Sequence, residues 1–339
     1  MNLDAQRIDL MSDHRLKRSV SIIVPAFNAA KHIGSSLESI SRQTIPPEQI
    51  LVVDDGSTDS TVKIVADWRD QSRQHVEIIR KANGGAASAR NAGFASATGE
   101  LVAFLDADDL MYPNHLEALA APFANHEDVV LSFGIAEARS DDGRLLRVFP
   151  DARVDQVTVR EDTTGSRLLG GSVYSSLIDG SYIGTSATLM SRNAAETIHF
   201  MDESLSPAED RDFWLRLSRI GTFVFQPTVV AIYRQHEGNT THPKHRLRHM
   251  RSQLRVLHKM IVQADELKLD AAERQRTYEA IETQLASMIY FGSQSGLSQW
   301  LKTCDDLRRF RHAWQLVKPR PWLRALAYST IFRSRQHSS

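Results

Sequence analysis

The chain contains one cysteine, Cys304, which excludes an internal disulfide and any zinc site built on cysteines. An excess of either charge is also absent: 41 Lys and Arg face 41 Asp and Glu, so the chain as a whole offers no electrostatic case for nucleic acid. No stretch of eighteen apolar residues occurs, and nothing reads as a membrane-spanning helix. The opening segment MNLDAQRIDLMSDHRLKR is polar and mixed in charge, without the apolar centre of a signal peptide. The expectation is a chain that folds in the cytoplasm. There is no internal repeat. What remains, 339 residues of which 42% are hydrophobic and 24% charged, suits one large globular domain or a core with an appendage.

Strand and helix patterns alternate from Val20 to about Tyr112. Val20–Val24 is a β-branched run closed by Pro25, and Ile33, Leu37 and Ile40 then recur at helical spacing. Gln49–Val53 reads as a second strand, with Asp59 or Ser60 able to cap a helix carrying Val62, Val65 and Ala66. Val76–Ile79 is a third strand, and Gly84–Gly85 opens a helix of small residues. Such alternation predicts βαβ units and a mostly parallel sheet. Farther on, Val129–Ala136 and Leu145–Phe149 flank the turn signal Asp141-Asp142-Gly143 and predict a hairpin. Residues 151–180 carry no clear periodicity. Thr185–Met190 reads as a strand, Asp210–Ile220 as a helix, Phe223–Tyr233 as a strand, and the chain from His245 onward as helical.

The most informative segment is LVAFLDADDLMY, Leu101–Tyr112. An apolar run ends in Asp106, Asp108 and Asp109, carboxylates that are costly at the end of a buried strand unless paired or bound to a cation. The carboxyl ends of strands are where open α/β sheets bind ligands, and Asp-x-Asp there can hold a hard divalent ion whose other ligands are water and phosphate. A second acidic strand end, VVDDGSTD (Val52–Asp59), lies upstream. Two such ends on neighbouring strands suggest a nucleotide-diphosphate site.

Together with SIIVPAFNA (Ser21–Ala29), NGGAASARNAG (Asn83–Gly93), AEDRDFWLRL (Ala208–Leu217) and YRQHEGN (Tyr233–Asn239), these segments resemble the family 2 glycosyltransferases, in that family's order and spacing. The resemblance covers roughly residues 19–240. It implies the GT-A fold: an α/β architecture with a mostly parallel central sheet, flanking helices and a Rossmann-like nucleotide-binding half, here followed by a C-terminal helical appendage. The implied division is a polar extension at 1–18 and a glycosyltransferase domain at 19–240, with a nucleotide-binding half at 19–112 and an acceptor half at 113–240. A basic helical region follows at 241–339.

The resemblance also implies roles. Pro25, Ala26 and Asn28 would wall the nucleotide base, although Pro25 serves equally as a strand terminator. Asp55 would accept from the imide N–H of a pyrimidine, a task suited to a carboxylate, which offers only acceptors. Asn83 and Gly84 would approach the ribose or diphosphate, with Arg90 as a further nucleotide contact or, alternatively, a structural ion pair. Asp106 would meet the ribose, and Asp108 would bind Mn2+ or Mg2+, with His236 completing the coordination or remaining an ordinary loop histidine. Arg234 offers charge complementarity to phosphate, and Asp109 reads as an N-cap for the helix after Pro113. Asp210 would be the general base and Glu209 would orient the acceptor; the bland alternative is an acidic first turn favoured by the helix dipole. Asp212 and Trp214 read as structural.

The implied reaction is an inverting transfer from a nucleotide-diphosphate sugar, UDP by family default with dTDP and GDP open, to the hydroxyl of a saccharide or lipid-linked acceptor. Bacterial surface polysaccharide or glycolipid synthesis is the family-level setting. Trp300–Ser339 holds nine Lys or Arg against two Asp, interleaved with aromatic residues. Such a stretch can contact an anionic membrane, placing the protein at the inner face, or can pack as a helical appendage or oligomer contact. Two alternatives stand beside transfer: a degenerate sugar-nucleotide-binding scaffold, and a nucleotidyltransferase. The latter lacks support because SIIVPAFNAAKHIG has no glycine-rich basic triphosphate loop.

Overall fold

The computed structural model describes residues 18–170, 173–236, 238–239, 245–295, 300–302 and 304. The chain forms two compact units, Met1–His236 and Glu237–Ser339. The expectations for residues 1–17, and for the basic tail at 305–339, lie outside the described residues.

In the first unit β1 (Val20–Ala26), α1 (Ile33–Ser41), β2 (Gln49–Asp54), α2 (Thr61–Gln71), β3 (Val76–Arg80), α3 (Ala86–Ser96) and β4 (Leu101–Phe104) follow the predicted alternation. Every residue of β2 and β4 is buried, as continuous apolar runs in a parallel sheet should be. The four strands are all parallel, in the order β3-β2-β1-β4. Pro25 does not end β1, contrary to the terminator reading. It pairs with Val53, and the strand runs on to Ala26. Pairing of β1 with β4 stops at Ile23, so the missing proline donor falls where no ladder partner is needed. The small residues of α3 let it lie close on β1; a β-carbon at Gly93 would overlap the Ile23 side chain.

The chain then passes through β5 (Leu110–Met111), α4 (His115–Asn125), β6 (Val129–Ser140), β7 (Leu145–Phe149), α5 (Arg153–Val157), β8 (Thr158–Glu161), β9 (Arg167–Leu169) and α6 (Val173–Ile178). It continues with β10 (Thr188–Ser191), α7 (Arg192–Thr197), α8 (Glu209–Leu217) and β11 (Thr222–Gln235). The hairpin around Asp141–Gly143 forms as β6 and β7. The predicted strand over Thr185–Met190 is only partly present: Thr185–Ala187 is a 3-10 turn, and the strand begins at Thr188. The sheet extends β4-β10-β6-β11-β9-β8, with β5 on β11 and β7 on β6. Beyond β4 the pairing is mixed, because β10 runs antiparallel between β4 and β6. The parallel expectation therefore holds for the four strands of the first half and for the β6–β11 pair, while the other pairings are antiparallel. Ile22, Val24, Ile50, Val52, Ala103, Leu105 and Leu189 pack with Ile33, Leu37 and Leu116 into one continuous core beneath the strand ends.

The second unit holds α9 (Arg246–Val262) and α10 (Ala271–Gln294). A capping box between Asp270 and Glu273 starts α10. Leu254, Leu285, Met288, Ile289, Trp300 and Cys304 form its apolar cluster. Among the described residues no helix is long and apolar enough to cross a membrane.

Candidate active site

Because β1, β2 and β4 are parallel, their carboxyl ends share one edge, and both acidic segments arrive there. Asp54 accepts from Ser57 N at 3.1 Å and lies 3.5 Å from Arg80, holding the loop as expected of a capping residue. Asp55, only 3% exposed, accepts from Lys81 Nζ at 2.7 Å, Gly84 N at 2.9 Å and Gly85 N at 2.7 Å. The anion that the Gly84 and Gly85 amides meet is therefore Asp55 rather than a ligand phosphate. Gly85, at φ 86°, directs its amide this way at the start of α3, where a negative charge is favoured by the helix dipole. The same bonds use most of the acceptor capacity that Asp55 was expected to offer a pyrimidine.

Ala26 is buried, and its carbonyl accepts from Asp55 N at 2.8 Å. Asn28, at φ 48°, accepts from Thr58 N at 2.9 Å through Oδ1, so the loops after β1 and β2 are stitched together. Asp59 adds bonds from Ala30 N and from both donors of Thr61, in keeping with its capping role. Phe27 stands 51% exposed between Ala26 and Asn28. An aromatic residue one position past a strand's last apolar residue was a signal that could have marked it.

After β4 the three carboxylates part company. Asp106 pairs with Arg90 Nη2 at 2.5 Å, and its amide donates to Ser186 Oγ. Asp109 is buried, accepting from Ser186 Oγ at 2.6 Å and Arg234 N at 3.1 Å. It is not the N-cap of the following helix, which is Asn114. Burial, then the charges of Asp106 and Asp108, hold its carboxyl well above the usual range. Asp108 meets His236, with Oδ2 2.9 Å from Nε2. Burial first and then Asp106 push the Asp108 carboxyl up, while His236 pulls it down. His236 also stacks on His32, rings 5.0 Å apart and 17° from parallel, a neighbour that sequence reasoning missed. Arg234 is tied to the Asp108 carbonyl, Ser35 Oγ and Ser36 Oγ, so it braces α1 as well as carrying charge to this edge.

These donors fit a divalent cation. Asp108 is the strand-end carboxylate that guanidinium and hydroxyl groups leave to a histidine, and oxygen beside imidazole suits Mn2+. Among the described residues no three His, Cys, Asp or Glu are grouped to hold a metal. Such an ion would draw its remaining ligands from water and phosphate.

The second half of the sheet unit contributes the start of α8. Asp210 accepts from Arg211 N at 2.7 Å, and burial followed by the Glu209 charge pushes its carboxyl up to about 6. Glu209, 7% exposed, bonds Arg90 Nη1 at 3.2 Å through Oε1. Arg90 is itself 4% exposed, so it is the structural ion pair of the two readings and not a surface open to nucleotide. Glu209 is thus engaged inward by a buried guanidinium. Asp212 pairs with Arg216, and Trp214 is fully buried, both structural as expected.

The sequence model described as Glycosyl transferase family 2 matches residues 21–167, from β1 into β9. Residues 21–167 belong to glycosyl transferase family 2. The matched domain holds Asp55, Asp106 and Asp108, while Asp210 and His236 lie beyond it. An uncharacterized glycosyltransferase of Rickettsia typhi is 31% identical over 224 residues, covering 66% of this chain and 65% of its own length. Another from Nostoc is 40% identical over 111 residues, 33% of this chain and 34% of its own. The alignments thus span about a third to two thirds of these relatives. Among solved structures, Staphylococcus aureus TarS 1–349 superposes with a TM-score of 0.60 at 20% identity, covering 95% of this chain and 92% of TarS. TarS has also been solved in complex with UDP-GlcNAc. A mannosyltransferase from Pyrobaculum calidifontis, solved with GDP-Man and Mn2+, gives 0.54 at 19% identity over 92% and 85%. The transferase domain has the GT-A fold, with C-terminal helices after it.

Proposed function

We propose that this chain transfers a sugar from a nucleotide-diphosphate donor to an acceptor hydroxyl in a single inverting displacement. The observation that carries the reading is convergence: Asp106, beside Asp108, and Glu209, beside Asp210, reach the same buried guanidinium. The donor edge and the candidate base thereby lie one side chain apart. The donor would sit across the strand ends, with Pro25, Ala26 and Asn28 near the base, Asn83 toward the ribose or diphosphate, and Asp55 holding the Gly84-Gly85 turn beneath it. Asp108 and His236 would hold a divalent cation, Mn2+ or Mg2+, which when bound offsets negative charge on the departing diphosphate.

Asp210 would take the proton of the attacking hydroxyl. A carboxyl titrating near 6 is largely ionised at neutral pH, yet basic enough to share a proton in the transition state. No covalent intermediate is needed for a single displacement. UDP is the donor base favoured by the TarS complex, and GDP and dTDP remain alternatives to be compared directly. We assign the acceptor to the saccharide or lipid-linked class, in bacterial surface polysaccharide or glycolipid synthesis, and the protein to the cytoplasm at the inner membrane face. Support for surface contact comes from α9, where Arg246, Arg248, Arg251, Arg255 and Lys259 occur with no acidic residue.

Calorimetry of UDP, GDP and dTDP, with and without Mn2+, on wild type and Asp108→Ala tests the donor site. Metal-dependent binding of one nucleotide, lost in the variant, is expected; no binding to any of them would overturn the reading.

A further inference from the structure

We propose that Arg90 is a positioning residue that couples the two halves of the site, so that a change at Asp106 is felt at Asp210. The functional meaning of this link rests on the transfer reading above, but the link itself is a property of the apo protein.

Arg90 lies on α3 and reaches two carboxylates from opposite halves of the domain: Asp106, sixteen residues away at the end of β4, and Glu209, 119 residues away at the start of α8. A guanidinium is a rigid planar fork with five donors, so one group can serve two carboxylates in fixed relative geometry. Its central carbon lies over the Phe104 ring, 5.5 Å from the ring centre. The arrangement is a poor device for stability alone. Among the described residues neither Arg90 Nε nor Glu209 Oε2, both buried, has a hydrogen-bond partner, and a buried ion pair is often no better for stability than an apolar replacement. Three carboxylates, Asp106, Glu209 and Asp210, also act on this one cation. Whatever competes for Arg90 at Asp106 therefore alters the charge available beside Asp210.

Asp210 is faced by Glu209 and Arg211 on its own helix, by Arg90 from α3 and by Asp106 from the end of β4. Replacing Asp106 with Asn removes one like charge and releases Arg90 toward α8. Both effects lower the pH at which Asp210 titrates. The direct effect survives without Arg90, whereas the relayed one does not.

The experiment is carbon-13 carboxyl titration of the full chain, with the Asp210 signal assigned by its loss in Asp210→Asn. In an otherwise wild-type background, Asp106→Asn should lower the Asp210 midpoint by about 1 pH unit. In an Arg90→Lys background, which keeps the charge but loses the fork, the same substitution should produce less than half that shift. Equal shifts in the two backgrounds would overturn the coupling and leave Arg90 a structural cation. If Arg90→Lys does not fold, Glu209→Ala removes the acceptor at the far end of the same bridge, and the same comparison decides. Binding of UDP with Mn2+ to wild type is measured in parallel. Its absence would count against the transfer reading and leave the Arg90 result intact.

Discussion

His236 Nε2 lies 2.9 Å from Asp108 Oδ2, though 128 residues separate the two in the chain. The end of β11 is thus brought back against the loop after β4, and a histidine that could have been solvated is committed to a strand-end carboxylate.

On the proposed reading, that contact makes a prediction about metal dependence. Asp108→Ala should abolish the Mn2+-dependent part of nucleotide binding, and His236→Ala should weaken it by about 10-fold. Since ligation requires the carboxylate and the neutral imidazole, Mn2+ affinity should fall as the pH is lowered. Calorimetric titration of Mn2+ in the presence of UDP at several pH values checks both statements. Equal Mn2+ affinity in the two variants and wild type would place the ion elsewhere.

Asp210 makes opposite predictions for activity and stability. As a base it must be ionised, so transfer should rise with pH through about 6 and level off above. Asp210→Asn should reduce transfer by about 100-fold or more while leaving nucleotide binding in place. For stability the sign reverses. The folded carboxyl binds its proton more tightly than the unfolded one, so ionisation between about pH 4 and 6 costs folding free energy. Asp210→Asn should therefore melt higher than wild type at neutral pH, with the advantage vanishing near pH 4. Thermal denaturation across that range reads it directly.

How much of this was legible in the sequence depends on the range of the interaction. Strand ends and the acidic segments they carry are local, so β1, β2, β4 and the placement of Asp55, Asp106 and Asp108 could be read from apolar runs and their termination. The partners could not. Nothing in NGGAASARNAG says that its first amides will be taken by a carboxylate 29 residues earlier, and the burial of Arg90 depends on how closely small residues let α3 approach β1. Asp109 was misread because a carboxylate before a helix resembles a cap; the deciding donors, Ser186 and Arg234, come from 77 and 125 residues away. The antiparallel β10 escaped the parallel expectation because sheet order is set by long-range pairing.

The Asp55 contacts predict a structural phenotype. Asp55→Ala would leave the Gly84 and Gly85 amides without an acceptor and Lys81 without its carboxylate, both in part-buried surroundings. Loss of a helix-start acceptor together with a partly buried ion pair should cost about 2–4 kcal/mol. Asp55→Asn, which keeps one acceptor oxygen, should cost less. Chemical denaturation of the two variants separates a structural role from a pure ligand role, for which stability would be unchanged.

Ser186 offers the sharpest local test, because a single hydroxyl serves two of the strand-end carboxylate residues. Its Oγ donates to Asp109 Oδ2 and accepts from Asp106 N, and the 3-10 turn over Thr185–Ala187 is what turns it toward them. Ser186→Ala removes one of the bonds that pull the Asp109 carboxyl down, so that group should titrate still higher. It also leaves a buried carboxyl short of a donor, at a cost of about 1–3 kcal/mol. Raising the pH should enlarge the stability deficit of the variant, since ionised Asp109 needs the hydroxyl more than the neutral acid does. Ser186→Thr keeps the hydroxyl and should recover most of the loss if the added methyl is accommodated. A deficit in Ser186→Ala that does not change with pH would mean that packing, and not the bond to Asp109, sets the cost.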